Sequence, residues 1–448
     1  MRVTVIGAGR SGLAAARLLA SRGARVVLSD TREQVEAGAQ MQQAGIALEL
    51  GGHRPETVTT SDLVVISPGV PSSAPIVRAA CDAGVPVIGE LELASRWLQG
   101  RIVAVTGTKG KSTTVTLAGR MLEHEGRRVT VGGNLGVALS QHVDASMVDS
   151  IHLVEVSSFQ LETIETFHPW MAVLLNLSPD HLDRHGTEAA YLAAKARVVE
   201  NQAPDDWTVV NADDPGVLEI GRRSRARQLR FACDADLDEG IVVADDAITH
   251  RTAAGDSPLV PLAAVRLRGR HLLSDVLAAA AVGLLVGVSA DAMTRAVESF
   301  RGLEHALEPA GEVDGVAFVD DSKATNVAAA VRAIESFGGD LVVLLGGHYK
   351  GGDLRALRAP LERRARAVVV LGESRDRFRE ALRDAVPIYQ ADSMRDAVRA
   401  AYGLAPPGGT VLLAPACASF DMFESYAARG RAFKQEVAAL ATERSREQ

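Results

Sequence analysis

Short apolar runs recur along the whole chain, and most lead through glycine or a polar residue into a longer amphipathic stretch. This alternation is typical of strands that alternate with helices, and it predicts parallel sheets covered by helices. Strands are predicted over residues 3–6, 25–28, 63–66, 128–131, 152–156, 171–175, 208–210, 316–319, 341–345, 367–371 and 410–413, and from residue 101 onwards. A polar stretch at 234–256 interrupts the pattern and predicts a surface hairpin or loop region.

The alternation divides the chain into three αβ segments. Their expected limits are 1–97, 98–300 and 301–448, and a chain of 448 residues fits about three domains. We therefore predict an α/β fold in which Rossmann-like domains at both ends flank a central domain with a parallel sheet.

Composition excludes several classes of protein. The chain has 56 acidic against 48 basic residues, and the net charge of −8 argues against nucleic-acid binding. The three cysteines show neither a disulfide framework nor a metal-binding spacing, which is typical of a reducing compartment. No apolar run approaches the roughly 20 residues of a membrane span, and the first residues do not resemble a signal peptide. We expect a soluble, cytoplasmic monomer.

The most informative motif is VAVTGTKGKS at residues 103–112, an apolar strand that runs into a glycine-rich loop ending in Lys-Ser. Backbone N–H groups from Gly107 to Lys111 can point at phosphate oxygens, because glycine tolerates the required dihedral angles. Lys111 would lie against the β- and γ-phosphates, and Ser112 would reach Mg²⁺. The spacing departs from GxxxxGK[ST], since Val105 replaces the first glycine. The central segment is therefore predicted to be a P-loop-type ATPase domain.

A second glycine motif opens the chain. Gly7, Gly9 and Gly12 form GxGxxG after the first strand, and Asp30 follows the second strand. This pattern is typical of an NAD site in which the acid binds the ribose. A nicotinamide-dependent oxidoreductase is therefore one hypothesis, but it leaves the central phosphate loop without a role.

Polar side chains also follow the strands after the phosphate loop. Glu155 is either a ligand of nucleotide-bound Mg²⁺ or a buried acid paired with an arginine. A cluster further along favours a metal or phosphate site, with Mg²⁺ fitting better than zinc. Its members are Asp180, His181, Asp183 and His185. Lys195 lies on a helix predicted over 188–200, and the residue pattern alone favours an exposed ammonium group.

The third segment has polar or glycine-rich loops after three of its strands, at 320–326, 346–350 and 414–420. The carboxyl ends of parallel strands meet at one edge of a sheet, so these loops are expected to form one ligand surface. Cys417 has alanine on both sides and no histidine in its loop, which favours a buried structural thiol over a nucleophile.

With these blocks in order, the chain resembles the Mur ligase family, and the resemblance covers all three segments. The matching motifs are TGTKGKST (106–113), GGNLG (132–136), EVSSFQLE (155–162), LNLSPDHLDRH (175–185), YLAAKARV (191–198), VNADDP (210–215), DDSKATN (320–326) and APACASFDMF (414–423). The resemblance implies ATP-driven amide synthesis for peptidoglycan precursors. UDP-N-acetylmuramoyl-L-alanine is activated as an acyl phosphate, and D-glutamate then displaces phosphate.

The resemblance also implies roles for individual residues. Catalytic roles are implied for Lys111, His181, Lys195 and Lys323. ATP contacts are implied at Gly107, Thr108, Lys109, Gly110, Lys111, Ser112, Thr113, Asp275 and Asp321. Two Mg²⁺ ions are implied, with ligands Ser112, Glu155, His181 and a carbamylated Lys195. UDP-substrate contacts, in place of NAD, are implied at Arg10, Ser11, Asp30, Thr31, Arg32, Gly69 and Asn134. Acceptor contacts are implied at Thr325, Lys350, Ser419, Phe420 and Tyr426, with Lys350 pairing with a glutamate carboxylate.

The sequence departs from the family pattern at three positions. Lys109 replaces asparagine in the phosphate loop, Ala306 replaces an arginine, and Asp275 replaces an asparagine near adenine. Two further hypotheses stay open: a related Mur-type ligase with a different amino-acid acceptor, and a non-catalytic protein that has kept the fold. The expected partners are small substrates, with no nucleic acid and no membrane.

Overall fold

The computed structural model describes residues 1–35, 37–178, 180–266, 270–349 and 351–447. The chain folds into two compact units, residues 1–300 and 301–448. No helix within the described ranges combines the length and apolarity needed to cross a membrane. The domain limits given above stay predictions.

The N-terminal sheet has the strand order β3-β2-β1-β4-β5, with all neighbours parallel. Its strands are β1 (Arg2–Ile6), β2 (Arg25–Asp30), β3 (Ala47–Leu50), β4 (Leu63–Ile66) and β5 (Val87–Gly89). The helices are α1 (Arg10–Ser21), α2 (Gly38–Gln43), α3 (Pro55–Thr59), α4 (Pro75–Asp82) and α5 (Glu90–Ser95). The strand order reverses between β1 and β4, and ligands of open parallel sheets bind beyond the carboxyl ends of the strands at such a point.

The central sheet has the order β14-β13-β12-β11-β10-β9-β6-β8-β7. Its strands are β6 (Arg101–Thr106), β7 (Val129–Gly133), β8 (Ile151–Glu155), β9 (Met171–Leu174), β10 (Trp207–Asn211), β11 (Arg227–Phe231), β12 (Gly240–Ala244), β13 (Ala247–Thr252) and β14 (Gly255–Pro261). The helices are α6 (Lys111–His124), α7 (Ser158–Leu161), α8 (Leu182–His185), α9 (Glu188–Ala196), α10 (Pro215–Arg223), α11 (Arg270–Val286) and α12 (Ala290–Ser299). Strands β6, β8 and β9 are neighbours, so the segments that follow them share one edge.

The sheet of the second unit has the order β15-β16-β20-β17-β18-β19. Its strands are β15 (Glu308–Val313), β16 (Val316–Asp320), β17 (Leu341–Gly346), β18 (Ala365–Leu371), β19 (Ile388–Gln390) and β20 (Thr410–Leu413). The helices are α13 (Val327–Glu335), α14 (Arg358–Arg364), α15 (Arg375–Ala381), α16 (Met394–Leu404) and α17 (Tyr426–Glu447). Strand β17 is buried along its length, as expected for a parallel strand covered on both faces.

The prediction of wholly parallel sheets is wrong at two edges. Strands β12, β13 and β14 pair antiparallel, and so do β15 and β16. The polar stretch at 234–256 thus contains a hairpin that extends the central sheet. Asp245 and Asp246 join its first two strands with φ values of +46° and +58°, the backbone geometry of a two-residue hairpin turn.

Candidate active site

The phosphate loop lies between β6 and α6, and β6 is the third strand from the β7 edge of the central sheet. Gly110 has a φ of +85°, and a Cβ there would lie 2.0 Å from Asp275 Oδ1. A Cβ on Gly107 would lie 2.9 Å from Leu175 Cβ. Both glycines are therefore needed for the close approach of the loop to its neighbours.

Lys111, Ser112 and Thr113 form the first turn of α6. Lys111 Nζ donates hydrogen bonds to the carbonyl oxygens of Gly107 at 2.9 Å and Thr108 at 3.1 Å. Ser112 Oγ donates to a carboxylate oxygen of Glu155 at 2.5 Å. The first turn of the helix thus carries a cation and a hydroxyl group next to an acid.

Glu155 is buried at the end of β8, beside the phosphate loop. Its second carboxylate oxygen accepts a hydrogen bond from Asn134 Nδ2 at 2.6 Å. Within the described ranges its side-chain hydrogen bonds come from a hydroxyl and an amide, not from an arginine, which counts against the second interpretation of this acid. A carboxylate beside a hydroxyl offers the oxygen ligands that Mg²⁺ prefers.

The expectation of an exposed Lys195 is wrong. The residue is 2% exposed, and its Nζ donates to the carbonyl oxygen of Gly107 at 2.7 Å. Burial, and after it the charge of Lys111, lowers the pKa of Lys195 to about 7. Its burial follows from the fold, because Lys195 stands four residues after the buried Tyr191 and shares its helix face.

Side chains that the sequence reasoning missed hold the phosphate loop from outside. The hydroxyl groups of Tyr191 and Thr108 form a hydrogen bond of 2.9 Å. The Ser178 N–H donates to Thr108 Oγ1 at 3.0 Å. The side-chain amide of Asn176 accepts a hydrogen bond from the Lys109 N–H at 2.9 Å and donates one to the Lys109 carbonyl oxygen at 3.1 Å. The segment after β9 and helix α9 therefore fix the conformation of the loop.

The predicted cluster of acids and histidines divides into two parts. His181 is exposed, with a φ of +52° and its ring centre 4.8 Å from that of Phe159. His185 has a buried side chain, its Nε2 lies 3.0 Å from Ser158 Oγ, and burial lowers its pKa. The side chain of Asp183 lies outside the described part. His181 is thus the accessible histidine of the two.

Asp275 on α11 closes the other side of the phosphate loop. It is 4% exposed, and burial raises its pKa to about 7 against the opposing charge of Lys111. Asp275 lines a cleft with Asn211, Asp213 and Cys233. This cleft runs from the phosphate loop past the ends of β10 and β11, so it has room for the rest of a nucleotide.

The N-terminal sheet has its own cleft at the carboxyl ends of its strands. Asp30, Thr31 and Gly69 line this cleft, whereas Arg10, Ser11 and Arg32 are not among its lining residues. Val70 and Pro71, in the loop after β4, line the cleft as well. The lining residues that the sequence did not predict are His53, Pro55, Ala74, Pro75 and Ile76. His53 Nδ1 lies 2.7 Å from Ser29 Oγ at the end of β2.

The carboxylate of Asp30 is occupied by donors of the protein itself. It accepts from the Ala8 N–H at 2.6 Å, and from the Arg32 N–H and guanidinium at 2.9 Å. The Arg32 guanidinium holds the pKa of Asp30 well below its usual range. An NAD site needs this acid to bind the ribose hydroxyls, so these contacts count against the oxidoreductase hypothesis.

Arg10 and Arg184 join the N-terminal part of the first unit to segments that lie beside the phosphate loop. Arg10 Nη2 donates to the backbone oxygen of Asn134 at 3.2 Å. Arg184 donates to the Pro68 oxygen at 2.9 Å and the Val70 oxygen at 3.2 Å, and it pairs with Glu162 at 2.9 Å. The residue pattern gave no role to Arg184, although it belongs to the LDRH segment.

In the second unit, the loops after β16, β20 and β17 lie side by side, because these strands are neighbours. Asp321 and Ser419 are buried, Lys323 and Thr325 are half-buried, and Phe420 and Tyr426 are exposed. Lys350 lies outside the described residues. Burial raises the pKa of Asp321 to about 7, and the neighbouring Asp320 acts in the same direction.

Cys417 is fully buried, which confirms the preference for a structural thiol. His305, Glu308 and Asp320 lie close enough to share a metal ion. However, His305 Nδ1 lies 2.6 Å from Asp320, and the Lys434 ammonium lies 2.9 Å from Glu308. The ligand atoms that face one another are already paired, and His305 Nε2 alone of the ring nitrogens has no partner among the described residues, so we assign the three groups to a hydrogen-bond network.

The fold and the phosphate loop define a nucleotide-dependent enzyme of the α/β class. Three family models match the chain: "Mur ligase MurD-like, N-terminal domain" over 1–89, "Mur ligase middle domain" over 105–283, and "Mur ligase, glutamate ligase domain" over 307–417. The chain therefore belongs to the Mur ligase family, which confirms the resemblance and the three-domain α/β fold.

Individual relatives agree with this assignment. The UDP-N-acetylmuramoylalanine–D-glutamate ligase of Acidobacterium capsulatum is 44% identical, over 98% of this chain and 96% of its own length. The ligase of the same name in Desulfosudis oleivorans is 43% identical, over 98% and 96%. The solved UDP-N-acetylmuramate–alanine ligase of Thermotoga maritima has a TM-score of 0.58 at 19% identity, over 98% and 99% of the two chains, which shows a shared fold.

Proposed function

We propose that this protein is an ATP-dependent ligase that joins D-glutamate to UDP-N-acetylmuramoyl-L-alanine in peptidoglycan precursor synthesis. The observation that carries the proposal is the convergence of Lys111, Ser112, Glu155 and Lys195 on one phosphate loop. Relatives about 40% identical over nearly the whole chain bear the name of this activity. We further expect it to act as a monomer in the cytoplasm.

ATP is needed because a carboxylate is a poor acyl donor. A carboxylate oxygen of the UDP substrate attacks the γ-phosphorus, the bond to ADP breaks, and an acyl phosphate forms. The D-glutamate amine then attacks the carbonyl carbon, phosphate leaves, and the amine loses a proton. Lys111 and the N–H groups of the loop neutralise charge on the transferred phosphoryl group.

The residues beside the phosphate loop fit magnesium. Ser112 and Glu155 would hold one ion through oxygen atoms, and Asn134 orients the carboxylate. The bound ion would supply charge neutralisation at the phosphates. His181 and Lys195 would hold a second ion, but only if Lys195 loses its positive charge.

Carbamylation would give Lys195 the required charge. The neutral amine attacks CO₂, an N–C bond forms, and one proton goes to solvent, which leaves an anionic carbamate. Because the pKa of Lys195 is lowered to about 7, a large fraction of the amine is neutral near physiological pH. The buried position supports the same modification.

The substrates occupy different parts of the chain in this proposal. The N-terminal cleft takes the UDP moiety at Thr31 and Gly69, beside Asp30 in its ion pair with Arg32, with Arg10, Ser11 and Asn134 nearby. Within the second unit, the proposed roles are ATP contact for Asp321 and catalysis for Lys323. The acceptor residues are Thr325, Lys350, Ser419, Phe420 and Tyr426.

Arg184→Met is expected to raise the KM for UDP-N-acetylmuramoyl-L-alanine about tenfold. The 68–70 loop beside the N-terminal cleft would lose two hydrogen bonds from a charged donor, each worth roughly 1.5–3 kcal/mol, and a tenfold change needs only about 1.4 kcal/mol of that loss. Steady-state phosphate release at varied UDP substrate measures the effect. Arg222→Met, at an exposed position on α10, is the matched control. Equal KM values in the two variants would contradict the role given to Arg184.

Phosphate release from ATP and Mg²⁺ tests the function directly. With UDP-N-acetylmuramoyl-L-alanine present, D-Glu, L-Glu, D-Lys and no amino acid are compared in parallel. We expect release with D-Glu alone. Release with another amino acid would favour the related ligase with a different acceptor, and no release with any acceptor would contradict the proposal.

A further inference from the structure

Arg429 is a buried cation beneath the loops of the second unit. It lies in the first turn of α17 and is 2% exposed. Burying a guanidinium raises the free energy of the folded state unless its N–H donors are hydrogen-bonded. The partners of Arg429 therefore indicate its structural role. Burial lowers the pKa of Arg429 only to about 10, so it stays charged at neutral pH.

The guanidinium ties three loops together. Nε donates to Ser322 Oγ at 2.9 Å, and Nη2 donates to the Ser322 carbonyl at 2.9 Å, both in the loop after β16. Nη2 and Nη1 donate to the carbonyls of Cys417 at 3.0 Å and Ala418 at 3.2 Å, after β20. Nη1 also reaches the Gly346 carbonyl, at the end of β17, at 3.5 Å.

These hydrogen bonds end on carbonyl and hydroxyl oxygens of the described residues, not on a carboxylate. The charge of Arg429 is therefore shared among the loop backbones. The same network reaches α17, because Ser322 Oγ donates to the Tyr426 carbonyl at 2.8 Å. One side chain thus sets the distances among the three strand ends and the start of the helix.

The loop after β20, which Arg429 contacts, carries a buried hydroxyl group that could bind a ligand. Ser419 follows Ala418, is 2% exposed, and its Oγ has no hydrogen-bond partner within the described ranges. A buried hydroxyl without a partner is costly unless a ligand or water satisfies it. Its position depends on the Ala418 carbonyl that Arg429 fixes.

We propose that Arg429 is a positioning residue that holds the three loops in register and thereby sets the affinity for the acceptor amino acid. The inference rests on the proposed function, which assigns these loops to the acceptor. Arg429 touches the backbone beneath the site, so its substitution acts through the geometry of Ser419 and its neighbours. Misplacement by about 1 Å can lower a rate about a hundredfold.

The test compares Arg429→Met and Arg429→Lys with Arg431→Met, an exposed arginine on the same helix. Phosphate release is measured while D-glutamate, ATP and the UDP substrate are varied in turn. We expect the methionine variant to lose about a hundredfold in kcat/KM for D-glutamate, mostly through KM, with the UDP-substrate KM within about twofold. The lysine variant should fall between it and wild type, because a single ammonium cannot reach all three loops.

An unchanged D-glutamate KM in Arg429→Met, or an equal rise in all three KM values, would overturn the inference. If the methionine variant does not fold, the lysine variant tests the inference instead. A D-glutamate KM equal to that of wild type in the lysine variant would overturn the inference. Arg429→Ala with added ethylguanidinium gives a second readout, in which we expect the acceptor KM to recover. Wild-type enzyme that uses no amino acid would instead be a failure of the proposed function.

Discussion

Lys195→Ala is expected to lower phosphate release about a thousandfold or more, since it removes a group that lies against the phosphate loop. Short carboxylic acids such as acetate or formate should restore part of the rate, because they can enter the vacated space and replace the carbamate. The rate of wild type and variant is measured with saturating substrates, and the variant is then titrated with each acid. Isotope-labelled CO₂ should also label the wild-type protein but not the variant.

Glu188→Ala is the control, since Glu188 is exposed in the first turn of the same helix. It should leave the rate near wild type. A fully active Lys195→Ala enzyme would remove Lys195 from the catalytic machinery. An inactive variant that no acid rescues, together with unlabelled wild type, would keep the catalytic role and contradict the carbamate.

Asp275→Asn is expected to stabilise the free protein at alkaline pH. The pKa of Asp275 is raised from 3.8 to about 7, so the folded state holds a proton that the unfolded chain releases. Stability therefore falls as pH rises from about 4 through 7, and the full cost, about 4 kcal/mol, is present above pH 7. Asparagine has nearly the same shape and never ionises, so thermal melting at pH 8 should shift upward by several degrees.

The same variant should respond differently to ATP. An ionised carboxylate against the phosphate loop repels the triphosphate, so the wild-type KM for ATP should rise more steeply through pH 7 than that of Asp275→Asn, in which Lys195 still titrates. Asp205→Asn, at an exposed position before β10, is the control for both measurements. Parallel pH profiles for wild type and Asp275→Asn, in melting and in KM, would contradict the raised pKa.

The local sequence pattern was sufficient to predict the strands and helices that bury apolar residues at regular spacing. The strand before the phosphate loop, the loop itself and the acid at Glu155 follow from short segments, and the structure places them at one sheet edge. The antiparallel edge of the central sheet was harder to predict. Its strands β12 and β13 lie in a polar stretch, and β11, the parallel strand before them, buries only Leu229 and Phe231 among arginine and glutamine residues.

Burial of charged residues could not be predicted in the same way. The pattern around Lys195 is that of an exposed helical lysine, and its burial depends on where Tyr191 and the phosphate loop meet. Arg429 stands far along the chain from Ser322 and Gly346, so only the folded sheet brings their contacts together. Asp30 has the spacing of an NAD site, but only the structure shows that its carboxylate oxygens accept hydrogen bonds from Ala8 and Arg32.

Two lysines share one carbonyl oxygen in the free protein. Lys111 and Lys195 both donate to Gly107, at 2.9 and 2.7 Å, so two like charges face each other in a partly enclosed site whenever Lys195 is protonated and unmodified. Any small polyanion that enters would relieve their repulsion. Buffers rich in phosphate or sulfate should therefore compete with ATP, and kinetic constants measured in them would differ from those measured in chloride.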